Sequence, residues 1–176
     1  NMKKNGAYEV KDPAVISQLV ELVTKEGKSP KTEFVGKSAK YILDKIGITV
    51  GDDVKVILME AKEDHPFVQV ELMMPILPLV RVPDVDQAIE MAVRVEHGNR
   101  HTAMMHSRNV EKLTKMAKLI QTTIFVKNGP SYAGIGVGGE GYTTFTIAGP
   151  TGEGLTSAKS VARRRRWVLV GVMDVR

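Results

Sequence analysis

The sequence of 176 residues contains no cysteine, and only 5% of its residues are aromatic. The lack of cysteine excludes disulfides, thiolate metal ligands and a cysteine nucleophile from the chemistry that this chain can supply. Few aromatic side chains leave few stacking surfaces for single-stranded nucleic acid. No apolar run is long enough to cross a bilayer, and no signal-peptide pattern is present, so we predict a cytoplasmic protein that does not contact membranes.

The net charge of +5 is concentrated in one place. Four consecutive arginines at residues 163–166 supply most of the excess, and 21 basic residues remain without them against 20 acidic ones. A broad basic face for nucleic acid is therefore not expected. The arginine run is more typical of a solvated turn or a set of ion pairs than of a phosphate-binding patch.

Glycine is concentrated at residues 127–154, where nine of the sixteen glycines stand. Three of them, Gly134, Gly136 and Gly139, fit the pattern G-x-G-x-x-G. A dinucleotide fingerprint needs a strand before the glycines and a helix N-terminus after them. Residues 142–148 alternate β-branched and aromatic side chains, which predicts a strand where that helix should begin. The pattern therefore favours a tight connection over a phosphate-binding loop.

Hydrophobic periodicity and capping residues predict an α/β architecture. Helices are expected at residues 13–26, 38–46, 85–95, 110–120 and 155–162, and strands at 54–61, 101–106, 122–126, 142–148 and 167–172. Residues 67–82 contain Pro75 and Pro78, which predicts an extended segment or two short strands with irregular backbone between them. The alternation of strands and helices from residue 54 to residue 126 is typical of βαβ units on a largely parallel sheet.

Glu71 is an isolated carboxylate inside the apolar stretch of residues 67–82. It either faces outward from an edge strand, or stands beside irregular, proline-broken backbone where ligands are often bound. The histidines do not form a recognisable metal-binding motif. His97 and His101 are four residues apart, but Gly98 breaks the helix that would place them on one face, and no H-E-x-x-H motif is present. We therefore expect no metal site.

Several longer motifs resemble those of the aldehyde dehydrogenases. The sequences HPF at 65–67, ELMMPILP at 71–78 and EHGNRHTA at 96–103 are similar to the second half of the catalytic domain in that family. More narrowly, VKNGPS at 126–131, GGEG at 138–141, TTFTIA at 143–148 and PTGEG at 150–154 resemble the CoA-acylating aldehyde dehydrogenases of propanediol and ethanolamine utilisation. The resemblance runs through the whole chain.

This resemblance implies a three-layer αβα fold with a mostly parallel sheet. Residues 1–130 would be part of the catalytic α/β domain, and residues 131–176 the glycine-rich segment with an oligomerisation arm, whose strand at 167–172 joins subunits of a homo-oligomer. The implied reaction converts a short-chain aldehyde, propionaldehyde or acetaldehyde, to acyl-CoA with NAD, through a thioester on a cysteine. The location would be the cytoplasm or a bacterial microcompartment.

Because the chain has no cysteine, the resemblance implies a C-terminal fragment that is inactive alone and contains no catalytic residue. Glu71 and Pro75 match the family motif that contacts the ribose next to the nicotinamide, where a carboxylate can accept hydrogen bonds from both hydroxyls. The usual Phe-Gly before the proline is Met73-Met74 here, so a phenylalanine contact is not expected.

Four further residues are weaker candidates for lining the channel for the substrate or CoA: His101, Thr102, Pro130 and Ser131. The alternative interpretation is a non-catalytic fragment of the same fold that acts as an oligomerisation or binding module.

Overall fold

A computed structural model describes residues 1–138 together with Ala162 and Val170. The predicted strands at 142–148 and 167–172 and the predicted helix at 155–162 lie outside the described residues, apart from those two positions. The chain divides into two compact units, Asn1–Val95 and Glu96–Arg176, which we call the first and second units. A search of the described helices for a span able to cross a membrane finds none.

The first unit alternates strands and helices. In chain order it contains β1 (Ala7–Val10), α1 (Pro13–Val23), β2 (Thr24–Lys25), β3 (Ser29–Pro30), α2 (Ala39–Asp44), β4 (Val56–Glu60), α3 (Pro66–Gln69), β5 (Ile76–Leu79) and α4 (Val85–Val95). Short 3-10 helices lie at Met2–Asn5 and Thr32–Phe34.

A three-stranded parallel sheet forms the centre of this unit, with β4 between β1 and β5. Ile57 of β4 pairs with Tyr8 on one side and with Ile76 on the other. The core that packs on the sheet consists of apolar residues from the strands and from α1, α2 and α3, among them Val10, Leu19, Val23, Ile42, Leu43, Ile57, Met59 and Phe67. The predicted α/β class and the mostly parallel pairing are confirmed.

Local capping explains where the helices begin. The side chains of Asp12, Ser38 and Asp84 accept hydrogen bonds from backbone N–H groups of the first turns of α1, α2 and α4, at 2.9, 3.2 and 2.9 Å. The helix predicted at 13–26 ends earlier than expected, at Val23. The reason is Thr24, whose hydroxyl donates to the carbonyl of Val20 at 2.6 Å and whose backbone starts the antiparallel hairpin of β2 and β3.

The prediction for residues 67–82 is wrong in part. Instead of an extended start, Pro66–Gln69 form the one-turn helix α3, and a single strand, β5, follows. Pro66 suits the first turn, where its missing N–H is not needed. Pro78 is tolerated within β5 because this strand pairs only with β4 in the described sheet.

The described part of the second unit is a βαβ arrangement. β6 (Thr102–Met105) and β7 (Ile124–Lys127) are parallel, and α5 (Val110–Ile120) connects them. Asn109 caps α5 by accepting from the N–H of Lys112 at 3.0 Å. Leu113, Met116 and Ile120 of the helix are buried, as are Ile124 and Val126 of β7. The predicted helix and both predicted strands are confirmed here, and a 3-10 helix follows at Ser131–Ile135.

Candidate functional site

Glu71 lies in the loop that connects α3 to β5, directly after Val70, the C-cap residue of α3. It is not on an edge strand, as one of the two sequence interpretations had it. The side chain is exposed, and it makes no hydrogen bond or ion pair with the residues that the structure describes. Its carboxylate oxygens are therefore free to accept hydrogen bonds from a ligand.

The backbone that follows Glu71 is fixed by hydrogen bonds on both sides. Met73 has a φ of 54°, in the left-handed region that non-glycine residues rarely adopt, and its carbonyl accepts from the N–H of Gly36 at 3.1 Å. The carbonyl of Pro75 accepts from the N–H of Ile57 in β4 at 2.8 Å. A strained, firmly anchored conformation of this kind is typical of functional loops.

A cavity of about 540 Å³ lies where this loop meets the segment before α2. Its lining includes Gly36 to Lys40, Asp52, Val54, Lys55 and Met73 to Pro75. Pro75 is therefore part of the cavity wall, whereas Glu71 is not among the lining residues. The volume falls within the range of cavities that hold organic ligands.

The charged groups of this cavity favour an anionic ligand. The lining contains three lysines, Lys37, Lys40 and Lys55, and one carboxylate, Asp52. Lys40 Nζ lies 2.9 Å from Asp52 Oδ1, and this hydrogen bond lowers the pKa of Asp52 and raises the pKa of Lys40. The lining therefore has two more positive than negative charges, and this excess favours the binding of phosphate groups.

Sequence reasoning missed the part of the cavity formed by the start of α2 and the residues just before it. In the sequence Lys37 and Lys40 look like ordinary surface charges, and Ser38 like a helix cap. They become part of a cavity only because the N–H of Gly36 bonds to the carbonyl of Met73, a contact between segments far apart in sequence. Neither spacing nor composition signals such a contact.

The weaker candidates, His101, Thr102, Pro130 and Ser131, all belong to the second unit. The hydroxyl of Thr102 and Nδ1 of His101 are 2.7 Å apart at the amino end of β6. Pro130 and Ser131 are exposed and follow the carboxyl end of β7. The 3-10 helix that begins at Ser131 folds back over this sheet, because its Gly134 packs against Ile124, the residue that pairs with Thr102.

The G-x-G-x-x-G pattern has the wrong structural context for a dinucleotide fingerprint. Gly134 lies inside the 3-10 helix Ser131–Ile135, and Gly136 ends that helix, so these two glycines do not form the open loop that follows a strand in a dinucleotide fingerprint. A Cβ atom at Gly134 would lie 2.2 Å from Cγ2 of Ile124, which makes glycine a packing requirement here. Gly139 lies outside the described residues. Over residues 1–138, no group of three His, Asp or Glu side chains could bind a metal ion.

Comparison with known proteins gives consistent matches. Residues 54–153 match the model of the aldehyde dehydrogenase family. The chain is 49% identical over 158 residues to the acetaldehyde dehydrogenase (acetylating) EutE of Salmonella typhimurium. The aligned residues make up 89% of this chain and 34% of that protein. The chain thus spans about a third of the length of the curated relatives that it matches.

Several solved structures, among them the following three, have a fold similar to that of this chain. Propionaldehyde dehydrogenase of Rhodopseudomonas palustris, with bound CoA and an acylated cysteine, has a TM-score of 0.88 and 72% identity over 93% of this chain and 37% of that chain. An engineered glycolyl-CoA reductase with bound NADP+ gives a TM-score of 0.88 and 72% identity over 94% of this chain and 37% of that chain. A propionaldehyde dehydrogenase from the fucose utilisation microcompartment of Clostridium phytofermentans has a TM-score of 0.85 and 47% identity. The match covers 93% of this chain and 37% of that chain.

The matched family model covers more than half of the chain, and the structural similarity extends over most of it. The α/β fold predicted from the motifs is therefore the aldehyde dehydrogenase fold, and this chain belongs to the aldehyde dehydrogenase family.

Proposed function

We propose that this chain is the C-terminal part of a CoA-acylating aldehyde dehydrogenase, which converts acetaldehyde or propionaldehyde to the acyl-CoA. The observation that carries the proposal is the 72% identity, over 93% of the chain, to a propionaldehyde dehydrogenase that was crystallised with CoA and an acylated cysteine. The absence of cysteine from all 176 residues means that the nucleophile has to come from a different part of the enzyme.

The role of this chain is then to bind and orient the cofactor. NAD, when bound, accepts a hydride from the aldehyde carbon. Glu71 fits its ribose, because an exposed carboxylate without a partner among the described residues can accept hydrogen bonds from two neighbouring hydroxyls. Pro75 forms part of the adjoining cavity wall, and the lysines of that cavity supply positive charge for phosphate groups. The anchored backbone between Met73 and Pro75 keeps these groups in place.

The second unit would contribute to the path of the aldehyde and CoA. We assign this role to His101 and Thr102 at the amino end of β6, and to Pro130 and Ser131 after β7. The paired hydroxyl and imidazole of Thr102 and His101 can donate to or accept from a passing carbonyl or amide. The arm at residues 131–176, through its strand at 167–172, would join subunits into a homo-oligomer. The similarity to a microcompartment enzyme supports a place in the cytoplasm, either free or inside such a compartment.

A graft tests the proposed reaction. This chain replaces the matching segment of the Rhodopseudomonas palustris enzyme, and NADH formation is followed with propionaldehyde and CoA. We expect the graft to retain activity, whereas the isolated chain, lacking a nucleophile, forms no NADH. A graft that folds and assembles like its parent but is inactive would favour the non-catalytic module. Turnover by the isolated chain would contradict the proposal directly.

Glu71→Gln is expected to raise the Kd of the chain for NAD+ about tenfold, because a neutral amide replaces a charge-assisted acceptor of hydrogen bonds. Isothermal titration calorimetry measures the change. Glu90→Gln is the matched control, since Glu90 is an exposed carboxylate on α4 that does not line the cavity. Equal Kd values for the two variants would remove Glu71 from the proposed site.

A further inference from the structure

The loop that contains Glu71 follows α3, and the residue that caps the start of α3 is a histidine, His65. Nδ1 of His65 accepts a hydrogen bond from the N–H of Phe67 at 3.1 Å, which caps the helix. The His65 ring also lies edge-on against the ring of Phe67, with centroids 5.2 Å apart, and Phe67 is buried in the core. The imidazole therefore connects the start of α3 to the core of the first unit.

α3 is a single turn of four residues, so its cap supplies a large share of the hydrogen bonds that stabilise it. The N–H of Val70 closes the turn on the carbonyl of Pro66 at 2.9 Å, and Glu71 is the next residue. A one-turn helix has few internal hydrogen bonds and depends on its caps and packing. Glu71 has no side-chain partner of its own among the described residues, so the backbone on either side sets its position.

Capping by His65 requires the neutral ring. Nδ1 can accept from Phe67 only when it carries no proton, and both ring nitrogens of the imidazolium are donors. A positive charge at this position would also oppose the partial positive charge of the helix N-terminus. Protonation of His65 therefore removes the cap and adds a repulsion in its place.

The charged groups around His65 lie along a second cavity, of about 640 Å³, at the carboxyl ends of β1 and β4. They are Lys11 after β1, Glu60 at the end of β4, and Lys62 and Asp64 in the following loop, while α1 contributes only uncharged residues. Glu60 is paired with Arg81 at 2.8 Å, and the neighbouring Glu63 with Arg94 of α4 at 2.8 Å. Burial lowers the pKa of His65, and the Asp64 carboxylate acts in the opposite direction.

The direction of the pH effect follows from this balance. With its pKa lowered in the folded protein, His65 stays neutral and caps α3 at pH values above the usual histidine value of 6.5. The contribution of the cap is lost as the pH falls through the lower, folded-state pKa.

We propose that His65 is a positioning residue for Glu71, which caps α3 when neutral, releases it when protonated, and so makes cofactor binding depend on pH. This inference rests on the proposed ribose contact of Glu71. The bonds of Gly36 to Met73 and of Ile57 to Pro75 join backbone groups that do not titrate, whereas the His65 cap does titrate.

Calorimetric titration of the full chain with NAD+ at pH 7.5 and pH 5.0 tests the proposal. The Kd of the unaltered chain is expected to rise about fivefold on acidification, the size of effect that loss of a helix cap produces. His65→Asn should bind like the unaltered chain at pH 7.5 and show no such rise, because asparagine caps without titrating. His65→Ala should bind weakly at both pH values. His106→Asn, a change at an exposed histidine of the second unit, should keep the rise.

Amide hydrogen exchange of Phe67 and Val70 provides a second readout that needs no ligand. The protection factors of these amides are expected to fall between pH 7.5 and pH 5.0 in the unaltered chain and to stay constant in His65→Asn. Constant protection in the unaltered chain, or the same pH dependence of Kd in His65→Asn, would overturn the proposal. If the unaltered chain binds no NAD+ at pH 7.5, the ribose contact and the positioning role fail together, while the exchange data still decide whether protonation releases α3.

Discussion

Replacing Ile57 with alanine is expected to lower the free energy of unfolding of the first unit by about 4 kcal/mol. Ile57 is 0% exposed and lies on β4, the central strand of the sheet, between Tyr8 of β1 and Ile76 of β5. Truncation removes most of a buried side chain. The cavity cannot close easily, because ladder hydrogen bonds fix the backbone of β4 on both sides.

Amide hydrogen exchange of β4 measures this loss within the first unit alone. Leu77→Ala is the matched control, since Leu77 lies on the neighbouring strand β5 but is 39% exposed. We expect the control to cost less than about 1 kcal/mol, because a large part of its surface is already in contact with water. Losses of equal size at the two positions would mean that the sheet does not have its centre at β4.

Replacing Gly6 with alanine is expected to cost about 3 kcal/mol. Gly6 has a φ of +88°, and a Cβ atom there would lie 2.6 Å from the carbonyl oxygen of Asp53. The carbonyl of Gly6 accepts from the N–H groups of Lys55 and Val56 at 2.7 and 3.2 Å, where the pairing of β1 with β4 begins. A side chain at this position would therefore introduce backbone strain and steric overlap where the pairing of β1 with β4 begins, and both effects lower stability.

Gly47→Ala separates the two effects. Gly47 also has a positive φ, +78°, but no atom lies within 4 Å of the position of its Cβ. Its substitution is expected to cost about 1 kcal/mol, from backbone strain alone. Urea unfolding followed by circular dichroism compares the two variants. If both lose the same stability, the close contact of Gly6 with Asp53 is not present in solution.

Local signals in the sequence account for the elements that were predicted well. The bounds of α4 and α5 agree with the prediction because Asp84 and Asn109 are caps that act within one turn of the chain. A cap and a helical pattern are both contained in a short window, so no information about the rest of the fold is needed.

The missed elements depend on contacts that no short window contains. β1 is only four residues long and includes Glu9, and it exists as a strand because β4 pairs with it. The sequence does not predict α3, because Pro75 and Pro78 indicate an extended chain. The His65 cap nevertheless favours one turn of helix before these prolines. The same reason applies to the candidate site. Glu71 and Pro75 came from the motif resemblance, but the cavity beside them depends on a bond between Gly36 and Met73.

The sheet of the first unit also has a consequence for the order of folding. The pairing of β4 with β5 and that of β6 with β7 each span one helix, whereas α1, a hairpin and α2 separate β1 from β4. Closing a longer loop costs more chain entropy, and pairings between distant segments form later. Of the three strands of this sheet, β1 is therefore the one expected to pair last, although it precedes β4 and β5 in the chain.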